Sequence, residues 1–117
     1  SVLVAGRYAA VLVRILAGRL DEARAVLTDP DGRAGPADGL RRRLDVASLT
    51  ELLERDGTLR VELVQGDGVF DNFLPSAVYD SGPAAARAAA ELTDLAAGVS
   101  ALRDIAVRLH AVARRVA

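Results

Sequence analysis

The spacing of apolar positions changes twice along the chain, and those changes divide it. From Val4 to Leu27 they fall at helical intervals, with Val4, Tyr8, Val11, Leu12, Ile15, Leu16, Leu20, Ala23 and Leu27 recurring every three or four residues. Arg7, Arg14 and Asp21 mark a narrow polar stripe. The pattern predicts one long helix over 4–27, apolar around most of its circumference and therefore needing cover on several sides. Asp29-Pro30-Asp31-Gly32 is turn chemistry, and 28–39 reads as a loop. Pro36 opens a short helix to Leu44 with Arg41, Arg42 and Arg43 on its exposed side. Asp45 or Ser48 caps a second one to about Arg55, Ser48 and Glu51 standing at capping-box spacing, so 37–55 holds two short helices.

At Thr58 the period drops to two. Thr58-Leu59-Arg60-Val61-Glu62-Leu63 alternates polar and apolar, as a half-buried strand does. Gln65-Gly66-Asp67-Gly68 has hairpin-turn composition, and Val69, Phe70, Phe73 and Val78 supply the return, giving a β-hairpin over 58–79 interrupted by Pro75. Such a hairpin needs the helices beneath it.

The period returns to helical at Pro83, with Ser81 a candidate cap, and only Gly98 interrupts helix-forming composition from Ala84 to Val116. This last stretch carries a heptad. Ala85, Leu92, Val99, Ala106 and Ala113 hold one seam position, while Ala88, Leu95, Leu102, Leu109 and Val116 hold the other. A continuous helix over 83–116 would be roughly 50 Å long, longer than the roughly 35 Å width of a compact chain this size. Its apolar edge would then project and meet a partner. If the chain bends at Gly98, the first helix can cover that edge instead. The predicted fold is mainly α with minor sheet content, a single domain over 1–117 packed as a helical bundle.

Composition sharpens this picture. Apolar residues make up 51% of the 117, yet there are two Tyr, two Phe and no Trp, so the core must be aliphatic and alanine-rich. Every cation other than His110 is Arg, which together with the Ala and Val content fits a GC-rich bacterial genome. Without Cys there are no disulfides or thiolate sites. Arg7 and Arg14 interrupt the apolar N-terminal stretch before it could span a bilayer, and it lacks the pattern of an export signal. A cytoplasmic setting is the expectation. The middle of the chain, 44–82, is acidic, with Arg55 and Arg60 against eight acids, and this argues against coating nucleic acid.

Candidate chemistry is sparse. His110 is the one histidine and sits near the end of the last expected helix, where the dipole favours it without any catalytic role. Asp29, Asp31, Asp67 and Asp71 lie in turns that lack the order of a calcium loop. Gly66 and Gly68 lack the rest of a phosphate loop, and no serine stands in a triad context. No catalytic, metal or cofactor residue is therefore expected. The function expected is a non-enzymatic protein–protein interaction or oligomerisation module, a homodimer or the partner of a helical protein, associating through Leu92, Leu95, Val99, Leu102, Leu109 and Val116.

Two further readings stand beside it. The order of two short helices, a hairpin and a long helix resembles winged-helix regulators in layout. That resemblance implies a 46–55 reader helix, a wing tip at 65–68, and phosphate contacts from Arg41, Arg42 and Arg43. The acids Glu51, Glu54, Asp56 and Asp67 on those elements oppose phosphate. The other is a small-ligand-binding protein or enzyme subunit, with a pocket between hairpin and helices lined by Phe70, Phe73 and Tyr79.

Overall fold

The computed structural model describes residues 1–116 and has an α+β architecture. Its elements are β1 (Val2–Ala5), α1 (Arg7–Leu16), α2 (Leu20–Thr28), α3 (Val46–Glu54), β2 (Leu59–Asp67), α4 (Ser76–Asp80), α5 (Pro83–Ala96), α6 (Ser100–Arg103) and β3 (Arg108–Arg115). The strands form one antiparallel sheet in the order β1-β3-β2, so the last strand lies between the other two. This overturns the mainly α bundle with a long C-terminal helix.

The corrections have local causes. The expected 4–27 helix is two helices, because Val2 to Ala5 pair with Ala111 to Arg108 and Gly18 closes α1. Gly18 takes φ 73° and its N–H bonds to Ile15 O, while Arg19 N–H bonds to Arg14 O; this Schellman closure turns the chain back into α2. No helix forms over 37–44, where side chains hold a long loop. The hairpin over 58–79 is absent as well: β2 runs straight through the expected turn to Asp67, and its partner is β3. Gly66 serves close approach rather than turning, since a Cβ there would lie 2.9 Å from the Ala106 Cβ and 3.0 Å from Arg103 O. After Gly68 the chain makes turns and enters α4 behind Pro75.

The last segment departs furthest. Ala97 ends α5, α6 is one short turn, and 108–115 is the central strand. Leu109 and Ala111 point into the core from one face of β3, and His110 and Val112 occupy the other. The 50 Å rod and its unbroken seam do not exist. A register shift between Val61 and Leu63 marks a bulge in β2, and there Val61 N–H bonds to Glu54 Oε2 at 2.8 Å, fastening α3 to the strand.

The main core joins Leu44, Leu49, Val64, Val69, Ala96, Ala106, Leu109 and Ala111. A second, smaller one joins Val11, Ala23 and Val26 inside the α1–α2 hairpin. Between them lies Arg7, buried, which donates to the carbonyls of Val26 (3.0 Å), Asp29 (2.5 Å) and Pro30 (2.9 Å). It thereby satisfies carbonyls around the end of α2 that no helix partner reaches. Its Nε stands 3.4 Å from Asp45 Oδ2, an electrostatic contact too long and poorly aligned to count as a hydrogen bond.

Asp45 caps α3. Its Oδ1 accepts the Ser48 N–H at 2.7 Å, while Ser48 Oγ accepts the Asp45 N–H at 3.0 Å. The box is thus Asp45 with Ser48 rather than Ser48 with Glu51. Asp45→Ala is expected to lower stability by about 1–2 kcal/mol, the usual cost of a lost cap, measurable by urea unfolding at pH 7.

Candidate functional site

The six side chains expected to form one seam lie in three environments. α5 starts where Gly82 (φ 113°) gives way to Pro83 in the first turn, and it packs through alanines, burying Ala89 and Ala96. Its leucines face outward. Leu92 is 52% exposed, Leu95 74%, and Val99, just past the helix end, 50%. Glu91 and Asp94 flank Leu95 around a shallow depression. Leu102 is half-buried against the main core, Leu109 is fully buried within the sheet, and Val116 is exposed beyond β3. Of the expected surface, only Leu92, Leu95 and Val99 remain together and free.

Nor do the three arginines act as a group. Arg41 and Arg42 are exposed, and Arg42 stands 3.4 Å from Asp31. Arg43 is buried, donating to Asp38 Oδ2 at 2.5 Å and to Gly32 O at 2.9 Å. Asp38, with its side chain only 6% exposed, also accepts the Ala34 and Leu40 N–H groups at 2.8 and 3.0 Å. The Arg43 guanidinium first, then these two N–H donors, hold its carboxyl well below the usual carboxylate range. Arg33 completes the loop by donating to the carbonyls of Leu40 and Asp38. With Arg43 committed to Asp38 and no hairpin to act as a wing, the winged-helix layout does not form.

The expected aromatic pocket does not form either. Phe70 packs on the main core, whereas Phe73 and Tyr79 are exposed. A different concavity, an open groove of about 530 Å³, lies by the sheet and is lined by Leu3, Gln65, Asp67, Asp94, Ala97 and His110 among others. His110 is half-buried in the central strand, opposite Leu3 on one side and Gln65 on the other, rather than at a helix end. Asp67 is drawn to Arg108 at 2.5 Å, which raises the Arg108 pKa. None of the side-chain hydrogen bonds among the described residues reaches His110. No group of three or more His, Asp or Glu converges on a cation-sized point among the described residues.

Sequence reasoning misplaced or passed over the residues that organise the chain most: Arg7 was read as part of a polar stripe and Arg43 as exposed, whereas both are buried, and Asp38 was given no role. Arg7 had a detectable signal, a lone cation inside Val-Ala-Gly-Arg-Tyr-Ala-Ala. Asp38 had none beyond its turn composition. Also unforeseen was the exposure of the α1–α2 hairpin, where Leu16 and Leu20 are 66% and 64% exposed.

No family model matches the chain, and no curated protein or solved structure matches it. Among the described residues no helix is long and apolar enough to cross a membrane.

Proposed function

We propose that this protein is a non-enzymatic association module that works as a pair of identical chains. One observation carries the reading: the chain leaves far more surface uncovered than its mass requires. A monomer of 12.2 kDa is expected to expose about 6,100 Å², and this one exposes 7309 Å². The excess of about 1,200 Å² exceeds the roughly 800 Å² that each partner buries in a standard interface. Shape agrees, because the radius of gyration is 15.7 Å against about 13 Å for a compact chain of this length.

Apolar helix side chains stand in that open surface: Leu16 and Leu20 on the α1–α2 hairpin and Leu92 and Leu95 on α5 are all more than half exposed, and exposed apolar patches mark surfaces that meet another one. The buried polar groups, by contrast, are committed to one another: Arg7 to backbone carbonyls and Arg43 to Asp38. Such groups stabilise a scaffold. A second copy is the natural occupant because a chain of net charge −1 does not repel itself strongly.

Light scattering coupled to gel filtration tests the proposal. The expected mass is twice 12.2 kDa at micromolar concentration. A single-chain mass persisting to about 100 µM, where only affinities of no use to a stable dimer remain, would overturn it.

A further inference from the structure

We infer that the seam of this dimer is the α1–α2 hairpin, which two copies complete as a four-helix bundle. The inference rests on the self-association reading and adds the surface. α1 and α2 pack antiparallel on each other around Val11, Ala23 and Val26, apart from the main core. One side of the hairpin is closed, since Ala10 and Ala34 pack over the small core there.

The other side is open. On an α-helix at 100° per residue, Tyr8 and Ile15 lie roughly 80° to one side of the line from Arg7, Val11 and Arg14 that α1 presents to α2. Leu20 and Leu27 lie at the same offset from the Ala23–Val26 line of α2. Because the helices are antiparallel, equal offsets in the same sense bring all four to one face. Ile15, Leu20 and Leu27 are exposed there, and Tyr8 is half-buried. Tyr8 and Ile15 are seven apart, as are Leu20 and Leu27, the repeat that suits helices crossing at a shallow angle.

Area and charge both admit a second copy. The surface left open beyond a monomer's expectation, about 1,200 Å², exceeds the roughly 800 Å² that each partner buries in a standard interface, and a two-fold axis sets the same face of each chain against itself. Arg14 and Arg19 are engaged by Glu22 at 3.5 and 3.9 Å, Arg24 stands exposed beside the patch, and Asp21 lies on the outer side of α2. Two helices offered by each chain supply the four of a bundle.

The test compares Leu20→Glu and Leu27→Glu with Leu95→Asp on α5. All three side chains are already exposed, so each variant should retain the wild-type helical circular dichroism. Gel filtration with light scattering, run as a dilution series, reads the association. The expected result is a wild-type dimer that either hairpin variant weakens at least about tenfold, while Leu95→Asp leaves it paired. A wild-type dimer unmoved by both hairpin variants, or dissociated by Leu95→Asp instead, overturns the hairpin seam and leaves self-association standing. A wild-type monomer at every concentration overturns both.

Discussion

Replacing Asp38 with Asn is expected to destabilise the protein by about 3 kcal/mol at pH 7, because it strands the Arg43 cation where water does not reach it. Asp38 and Arg43 are both largely buried, their side chains 6% and 9% exposed. An Asn at this position could still accept the Ala34 or Leu40 N–H, but its NH₂ would face a guanidinium and its charge would be gone. Exposed pairs such as Arg55 with Glu51 should matter far less, since solvent already screens them. The effect also has a pH signature. The native Asp38 carboxyl is held below its ordinary value, so near pH 3–4 the unfolded chain binds a proton that the folded one refuses. The stabilisation is therefore complete above the ordinary carboxylate pKa and is lost as pH falls below it. Urea unfolding at pH 7, 4 and 2.5 should show the gap between wild type and Asp38→Asn narrowing towards the acid end. A constant gap would mean that Asp38 acts through packing rather than charge.

Gly6→Ala is expected to cost about 3 kcal/mol or more, through overpacking that only backbone movement can relieve. A Cβ on Gly6 would lie 2.3 Å from Ala106 O and 3.4 Å from Val107 O. The φ of Gly6 is −84°, ordinary for any residue, so the penalty is steric and not conformational. Gly6 also sits in a bonded junction: its N–H reaches Val107 O at 2.9 Å, and the next residue bonds to Leu44 O at 2.9 Å. Pushing β1 away from Ala106 would strain both. Gly98→Ala is the control, because a Cβ there meets nothing within 4 Å. It should be neutral or raise stability by roughly 0.4–1 kcal/mol through a stiffer unfolded chain. Thermal and urea unfolding separate the two. Equal effects at positions 6 and 98 would contradict the close approach of β1 to Ala106.

Some of this fold could be read from residue order, and the failures share a cause. The period-two run at Thr58 identified β2, Pro83 marked the start of α5, and Asp45 was one of the two residues read as the cap of α3. These signals are local. β3 also carries an alternation, Leu109 and Ala111 in with His110 and Val112 out, but Ala is a strong helix former and residues seven apart fit a heptad equally well. What decides between the two is the presence of β1 and β2 on either side, a tertiary fact. Val4 and Ala5 of β1 were absorbed into the expected 4–27 helix for the same reason, and Val2 and Leu3 were assigned to no element. Of the expected interface, Leu92 and Leu95 reach the surface from α5, the first part of the expected 83–116 helix, and Val99 reaches it from the bend that follows. Leu109 was misplaced because it lies in the strand. The Asp38–Arg43 pair joins two parts of an irregular loop, and no periodicity announces such a partnership.

The strand order carries a consequence for how the chain reaches its native state. Within the sheet β1 and β2 each pair only with β3, and Val2 pairs with Ala111 across almost the whole chain. Until that final segment inserts, both lack their strand partner, and closing so long a loop is slow. Helices can nucleate early, but the sheet arrives as a single late event, like a zip drawn up the middle of an open jacket.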